Sequence, residues 1–195
     1  MSSEAEERIR AKAEAALREA FSDARIIHEL VIRRGGCRID LAAVTPTRLV
    51  VAEVKSERDV LDRLKRQVEQ AREVCDGLVV VVAEKHLDKA RKVAGWGDTC
   101  VEDEVGLQLS RFTSRAMLRS TTNAPARLAM LWAEELRAVG MGRGSRHENI
   151  IYAADSLTGS EVRRRVCAAL RARHFPRADP PILSELFKRE TRFEA

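Results

Sequence analysis

Residues Arg38 to Lys55, RIDLAAVTPTRLVVAEVK, decide how this chain folds. Two apolar runs, Arg38–Val44 and Leu49–Lys55, are rich in Val, Ile and Leu, and Thr45-Pro-Thr-Arg48 between them carries turn chemistry. The stretch therefore reads as a β-hairpin in which Val44 faces Leu49. Carried outward from the turn, the same register sets Asp40 directly across from Glu53, with facing Cβ atoms roughly 4.5–5.5 Å apart. Side chains alternate along a strand, so Glu53 and Lys55 share a face and Val54 points to the other. Three charged groups converge on one face of an otherwise apolar hairpin. Facing carboxylates repel, and a divalent cation is the natural agent to neutralise them.

The order of elements around the hairpin follows from periodicity. Ile9, Ala13, Leu17 and Phe21 repeat at helical spacing and predict a helix over residues 3–21. Ile26–Ile32 reads as a strand, Arg33-Arg34-Gly35-Gly36 as the turn into the hairpin. A second helix is expected from about Asp59 to Cys75, with Val60, Leu64, Ala71 and Val74 as its apolar face and Gln67 beside them. Asp76-Gly77 ends it. Leu78–Ala83, LVVVVA, is an uninterrupted apolar strand of the kind buried on both faces, and a strand after a helix implies a crossover parallel to the Glu53 strand. A short helix over Glu84–Val93 and two edge strands, near Thr99–Glu102 and Val105–Leu109, complete this part. The reading is an α/β fold with the order α-β-β-β-α-β.

Beyond Ser110 the pattern turns helical. Asn123-Ala-Pro opens a helix with Asn as N-cap, expected to run to Val139 with Leu128, Leu131, Trp132 and Leu136 as its apolar stripe. Glu148–Leu157, Thr158-Gly-Ser160 and Glu161–Arg173 read as two helices around a short turn, and a last helix is expected near Ile182–Arg189. The domain reading is a core over residues 1–110 and an all-helical C-terminal extension over 111–195, helix-turn-helix-like in outline.

Composition narrows the function classes. No apolar run approaches the ~20 residues of a membrane span, and the acidic, helical N-terminus does not read as a signal peptide. A net charge of +5 fits a phosphate-bearing partner. Cys37, Cys75, Cys100 and Cys167 form no C-x-x-C pair and no zinc spacing, which fits reduced thiols in a cytoplasmic protein. His28, His86, His147 and His174 are scattered with no nucleophile motif, so triad chemistry is not expected.

At Asp40 and Glu53-Val54-Lys55 the chain resembles the PD-(D/E)xK nuclease superfamily, the restriction-endonuclease-like fold. Ile39 stands where the written motif has proline, as in many members. A bacterial and phage branch is similar over a longer span, through Glu53-Val-Lys-Ser56, Arg63-Leu-Lys-Arg-Gln67, Asp76, Trp96-Gly97, Leu131-Trp132 and an Arg-rich C-terminal helix. The resemblance implies a restriction-endonuclease-like core and a Mg2+-dependent nuclease acting on DNA, with Mn2+ as a substitute. Asp40, Glu53 and the Val54 carbonyl would hold the cation, which takes oxygen ligands, and Lys55 would serve the attacking water. Gln67 resembles the Gln of a Q-x-x-x-Y motif, although Ala71 occupies the Tyr position; a structural amide is the other reading. Glu29 is either an extra metal-ligating acid or an ordinary strand residue, and Ser56 either bonds phosphate or caps the next helix. Arg163, Arg164, Arg165, Arg171 and Arg173 are either a DNA contact or the solvated side of a helix packed by Val162, Val166 and Leu170.

The expected partner is DNA, single- or double-stranded, with no membrane; a homodimer or a partner protein is compatible. The alternative function is a non-catalytic nucleic-acid-binding or regulatory module that keeps the fold. A third is an oligomeric subunit whose nuclease works only with a partner.

Overall fold

The computed structural model describes residues 4–33, 36–95, 98–113, 123–140 and 142–184. Five strands form one mixed sheet in the order β1-β2-β3-β4-β5: β1 (Arg25–Arg33), β2 (Cys37–Val44), β3 (Leu49–Lys55), β4 (Gly77–Val82) and β5 (Thr99–Val101). The first three are antiparallel neighbours, and β3, β4 and β5 run parallel. The hairpin register is the one the turn dictates, Val44 facing Leu49 and Leu41 facing Ala52. Thr45 closes the turn by accepting the Thr47 and Arg48 N–H groups on its hydroxyl. Every residue of β3 and β4 is buried, as their continuous apolar sequence requires.

Helices cover both faces. On one, α1 (Glu4–Ala20) and α4 (Val105–Thr113) pack Ile9, Leu17, Val105 and Leu109 against Leu41, Val50, Ala52 and Val79. On the other lie α2 (Leu64–Val74), α3 (Leu87–Ala94), α5 (Ala124–Leu128), α6 (Ala133–Val139), α7 (Arg146–Ser156) and α8 (Gly159–Ala172). Leu128, Leu136, Val162, Val166 and Leu170 join the same apolar cluster as Val51, Leu64 and Val80. The C-terminal helices thus complete the core over this face of the sheet.

Arg25 holds them there. Fully buried, it donates to the carbonyls of Leu170, Arg171, Arg173 and Asp179, satisfying the open end of α8. The chain after α8 then lies along β1, with the His28 N–H donating to Arg177 and the Asp179 N–H to Ile26, so it covers part of an exposed sheet edge.

Several expectations are corrected. Val105–Leu109 is not an edge strand but the start of α4, because Val105 and Leu109, one helical turn apart, are buried while Leu107 is exposed. Helix α2 begins at Leu64 rather than Asp59. Ser56 does not cap it; its N–H and hydroxyl both bond the Asp59 carboxylate in a tight turn, and Val60 is left exposed at 71%. The single helix expected over 123–139 is two, α5 and α6, broken at residues 129–132. Asn123 does cap α5, accepting the Ala126 N–H, but Trp132 lies outside the apolar stripe, half exposed with the Arg173 guanidinium 4.6 Å from its ring. Residues 182–184 are not helical, while the rest of the expected Ile182–Arg189 helix and the Trp96-Gly97 pair lie outside the described residues. No helix among the described residues is long and apolar enough to cross a membrane.

Candidate functional site

The hairpin changes character where its acids begin. Ladder pairing of β2 with β3 stops at Leu41–Ala52, so Asp40 and Glu53 are not a backbone pair. The Val54 N–H instead donates to Asp40 Oδ2 at 2.8 Å, the side chain standing in for a strand carbonyl. The cause lies one strand away. Glu29, opposite Asp40, adopts φ 57°, a left-handed conformation that is unusual for a non-glycine residue in a strand. Inside-outside alternation slips in both strands at this point. Ile27 and Leu30 face the same cluster although they are three residues apart, and so do Ile39 and Ala42. Such backbone costs on the order of 1–3 kcal/mol and persists only where the surroundings enforce it.

What enforces it is Arg10, from α1. Its guanidinium donates to Glu29 Oε1 at 2.7 Å, Glu6 Oε1 at 3.0 Å and Asp40 Oδ1 at 3.3 Å. Arg38 approaches the other Glu29 oxygen at 2.5 Å. Glu29 is thus clamped between two arginines. Sequence reasoning missed Arg10; the available signal was an arginine next to the apolar stripe at Ile9, one helical turn from Glu6.

Glu53 and Lys55 project from β3 toward α2. Glu53 is 1% exposed, its Oε1 accepting from Lys55 Nζ at 2.6 Å and from Gln67 Nε2 of α2. Its Oε2 is buried and has no hydrogen-bond partner among the described residues. Burial, followed by the nearby Asp40 charge, pushes the Glu53 carboxyl up to about 7, with Lys55 and Gln67 acting in the opposite direction. Asp40 is also raised, again by burial first, against the Val54 N–H and Arg10. A buried carboxylate oxygen next to a second carboxylate is the kind of oxygen donor pair that a hard cation takes.

These groups line one cleft of about 560 Å3, together with Glu6, Arg10, Glu29, Arg38, Asp59, Arg63, Arg66, Gln67 and Gln70. The structure therefore brings Asp40, Glu53, Val54, Lys55, Gln67 and Glu29 to one place. Asp40, Glu53 and the Val54 backbone could hold a hard cation. Among the described residues no group of three or more His, Cys, Asp or Glu side chains has the arrangement to hold a metal. Three of the five C-terminal arginines are engaged elsewhere, while Arg164 is exposed and Arg165 half-buried. Arg163 approaches Asp76 at 2.9 Å, Arg171 donates to the Asp23 and Val44 carbonyls, and Arg173 pairs with Glu135, while Val162, Val166 and Leu170 are buried. The four cysteines are buried and none is in a disulfide.

The raised Glu53 carboxyl has a consequence for stability. Its folded-state value of about 7 lies above the ordinary 4.5, so the folded chain holds a proton there that the unfolded chain has released. The associated stability is complete below about pH 4.5 and is lost as pH rises through about 7, amounting to on the order of 3 kcal/mol at most. Glu53→Gln removes the titration. Thermal denaturation across this window should show the wild type weakening relative to the variant as pH rises; parallel curves would exclude a buried, raised Glu53.

A family model described as bacteriophage P4 protein cII matches residues 3–191. No curated protein and no solved structure matches the chain.

Proposed function

The chain belongs to the bacteriophage P4 protein cII family, and we propose that it is a divalent-cation-dependent nuclease that hydrolyses phosphodiester bonds of DNA on a restriction-endonuclease-like core. The observation that carries this reading is the Glu53 carboxylate near Asp40, with one oxygen held by Lys55 and Gln67 and the other buried without a partner among the described residues.

Asp40, Glu53 and the Val54 carbonyl would hold Mg2+ or Mn2+. The cation supplies Lewis-acid polarisation of the scissile phosphate and offsets the charge that builds on it. The protein does the rest by position. Gln67 and Lys55 hold Glu53 by its Oε1. Lys55, kept in place by Glu53, presents N–H donors to the attacking water and to the phosphate oxygens. The Val54 N–H aims Asp40, and Arg10 holds Asp40 and Glu29 against mutual repulsion until the cation arrives. Glu29, paired with Arg10 and approached by Arg38, supports this arrangement.

The test is cleavage of supercoiled plasmid and of labelled single-stranded DNA in Mg2+ or Mn2+, with thermal denaturation in the same ions. A ligand that binds only the folded state raises Tm. Cation-dependent cutting together with a raised Tm supports the proposal. A binding or regulatory module that keeps the fold is the second reading, favoured by Arg10 already neutralising Asp40. It predicts DNA binding with neither cutting nor a cation-dependent Tm.

A further inference from the structure

The two walls of the cleft are charged differently. On the α1 and β1 side the charges satisfy one another, Arg10 and Arg38 pairing with Glu6, Glu29 and Asp40. On the α2 side they do not. Arg63, Arg66, Gln67 and Gln70 lie at helical i, i+3, i+4 and i+7 positions and all line the cleft, while Leu64, Val68 and Ala71 turn to the core. Arg63 and Arg66 are exposed and have no carboxylate partner among the described residues. In contrast, Arg8, Arg10, Arg18, Arg72, Arg127 and Arg173 each have one. The first turn of α2 contains no acid at all. Basic side chains at a helix start oppose the helix dipole, so their place here is not explained by the helix itself.

Two further features connect this wall to the chemistry. Gln67, on the same face, touches Glu53 directly. Gly36, at φ 142°, lies beside Arg66: a Cβ added there would stand 3.5 Å from the guanidinium, at ordinary contact distance, so Arg66 reaches along the cleft past the β1–β2 turn.

We propose that Arg63 and Arg66 grip two successive phosphates of one nucleic-acid strand and lead that strand along α2 to Glu53 and Lys55. One helical turn separates the two residues, about 5–6 Å between Cβ atoms, and each guanidinium presents a fork that matches phosphate oxygens. The grip is one-sided, because the opposite wall has no spare cation among its described residues. The inference rests on the nuclease reading for where the strand is led, but not for the grip itself.

The test compares the full chain, Arg63→Gln/Arg66→Gln, and the charge-matched control Lys65→Gln/Lys89→Gln, whose residues are exposed and do not line the cleft. Binding of a short labelled single strand, and of the duplex with the same sequence, is followed against salt in a chelator so that nothing is cut. Each phosphate contact contributes about 0.7 to the log–log salt slope on a single strand, so the double variant should lose about 1.4 of slope and about 25-fold of affinity at 0.1 M salt relative to 1 M. The control should keep both. An unchanged slope in the cleft variant, an equal loss in the control, or displacement of the strand by polyglutamate as effectively as by unlabelled DNA would each overturn the proposal. The Mg2+-dependent Tm of the wild type is read separately. Its absence with the slope difference intact removes the nuclease reading and leaves the grip standing; its presence with no slope difference does the reverse.

Discussion

Asp76→Ala should cost about 3–5 kcal/mol of folding free energy, the usual result of removing one partner from a buried ion pair. Asp76 follows α2 and is 2% exposed. Its Oδ2 accepts the Leu49 N–H at 2.8 Å, its Oδ1 meets Arg127 Nη2 at 2.8 Å, and Arg163 Nε approaches the same oxygen at 2.9 Å. One carboxylate thus joins the first residue of β3 to α5 and α8. Without it the buried Arg127 cation and a buried strand N–H both lose their acceptor, and water cannot easily replace it. For a chain of this length Tm should fall by on the order of 10 °C. Asp76→Asn should fall between, since an amide oxygen can keep the Leu49 contact but not the charge. Pairing Asp76→Ala with Arg127→Met should recover part of the loss, because the stranded charge goes with it. Denaturant titration of the four proteins decides. A loss below about 1 kcal/mol for Asp76→Ala would mean that the cluster contributes nothing net.

Lys55→Ala should reduce cation-dependent cleavage by about 100-fold or more, the scale seen when a positioned donor to a developing negative charge is removed. Its Nζ is 2.6 Å from Glu53 Oε1 in a buried site, where such a donor acts with little screening. On the proposed reading the cation is held by Asp40, Glu53 and the Val54 carbonyl and not by Lys55, so Mg2+ should still raise the Tm of the variant. That split separates a chemical role from a structural one. Lys55→Arg should not restore cutting, because a planar fork cannot take the place of a compact ammonium beside Glu53. Cutting by Lys55→Ala at the wild-type rate would falsify the assignment of Lys55 to the reaction. Loss of cutting together with loss of the Mg2+ response would instead show that Lys55 only holds Glu53 in place.

What the sequence by itself determined was local. The turn at Thr45–Arg48 fixed the hairpin register, and period-two and period-3.6 patterns placed α1, β1 to β4 and α3. The apolar run Leu78–Val82 required a buried parallel strand, as found. These signals act over a few residues, within the reach of turn chemistry and side-chain alternation. Alternation along β3 put Glu53 and Lys55 on one face, toward the α2 face that carries Gln67, whereas Asp40 joins them although the ladder stops before it.

What only the tertiary structure decided depended on groups distant in sequence. Arg10 reaches Asp40 across 30 positions, and its clamp on Glu29 accompanies a kink that ends the ladder before Asp40. Val105–Leu109 became a helix because one side of it could be buried against α1 and β4. Of the C-terminal arginines, so prominent as a run of charge, Arg163, Arg171 and Arg173 were fixed by which backbone carbonyls and carboxylates arrived beside them, while Arg164 stayed exposed. No described carboxylate arrives beside Arg63 and Arg66 either, and these two line the cleft. A charged side chain's role depends on its counter-charge and its burial, and both are properties of the assembled core rather than of the strand or helix that carries it.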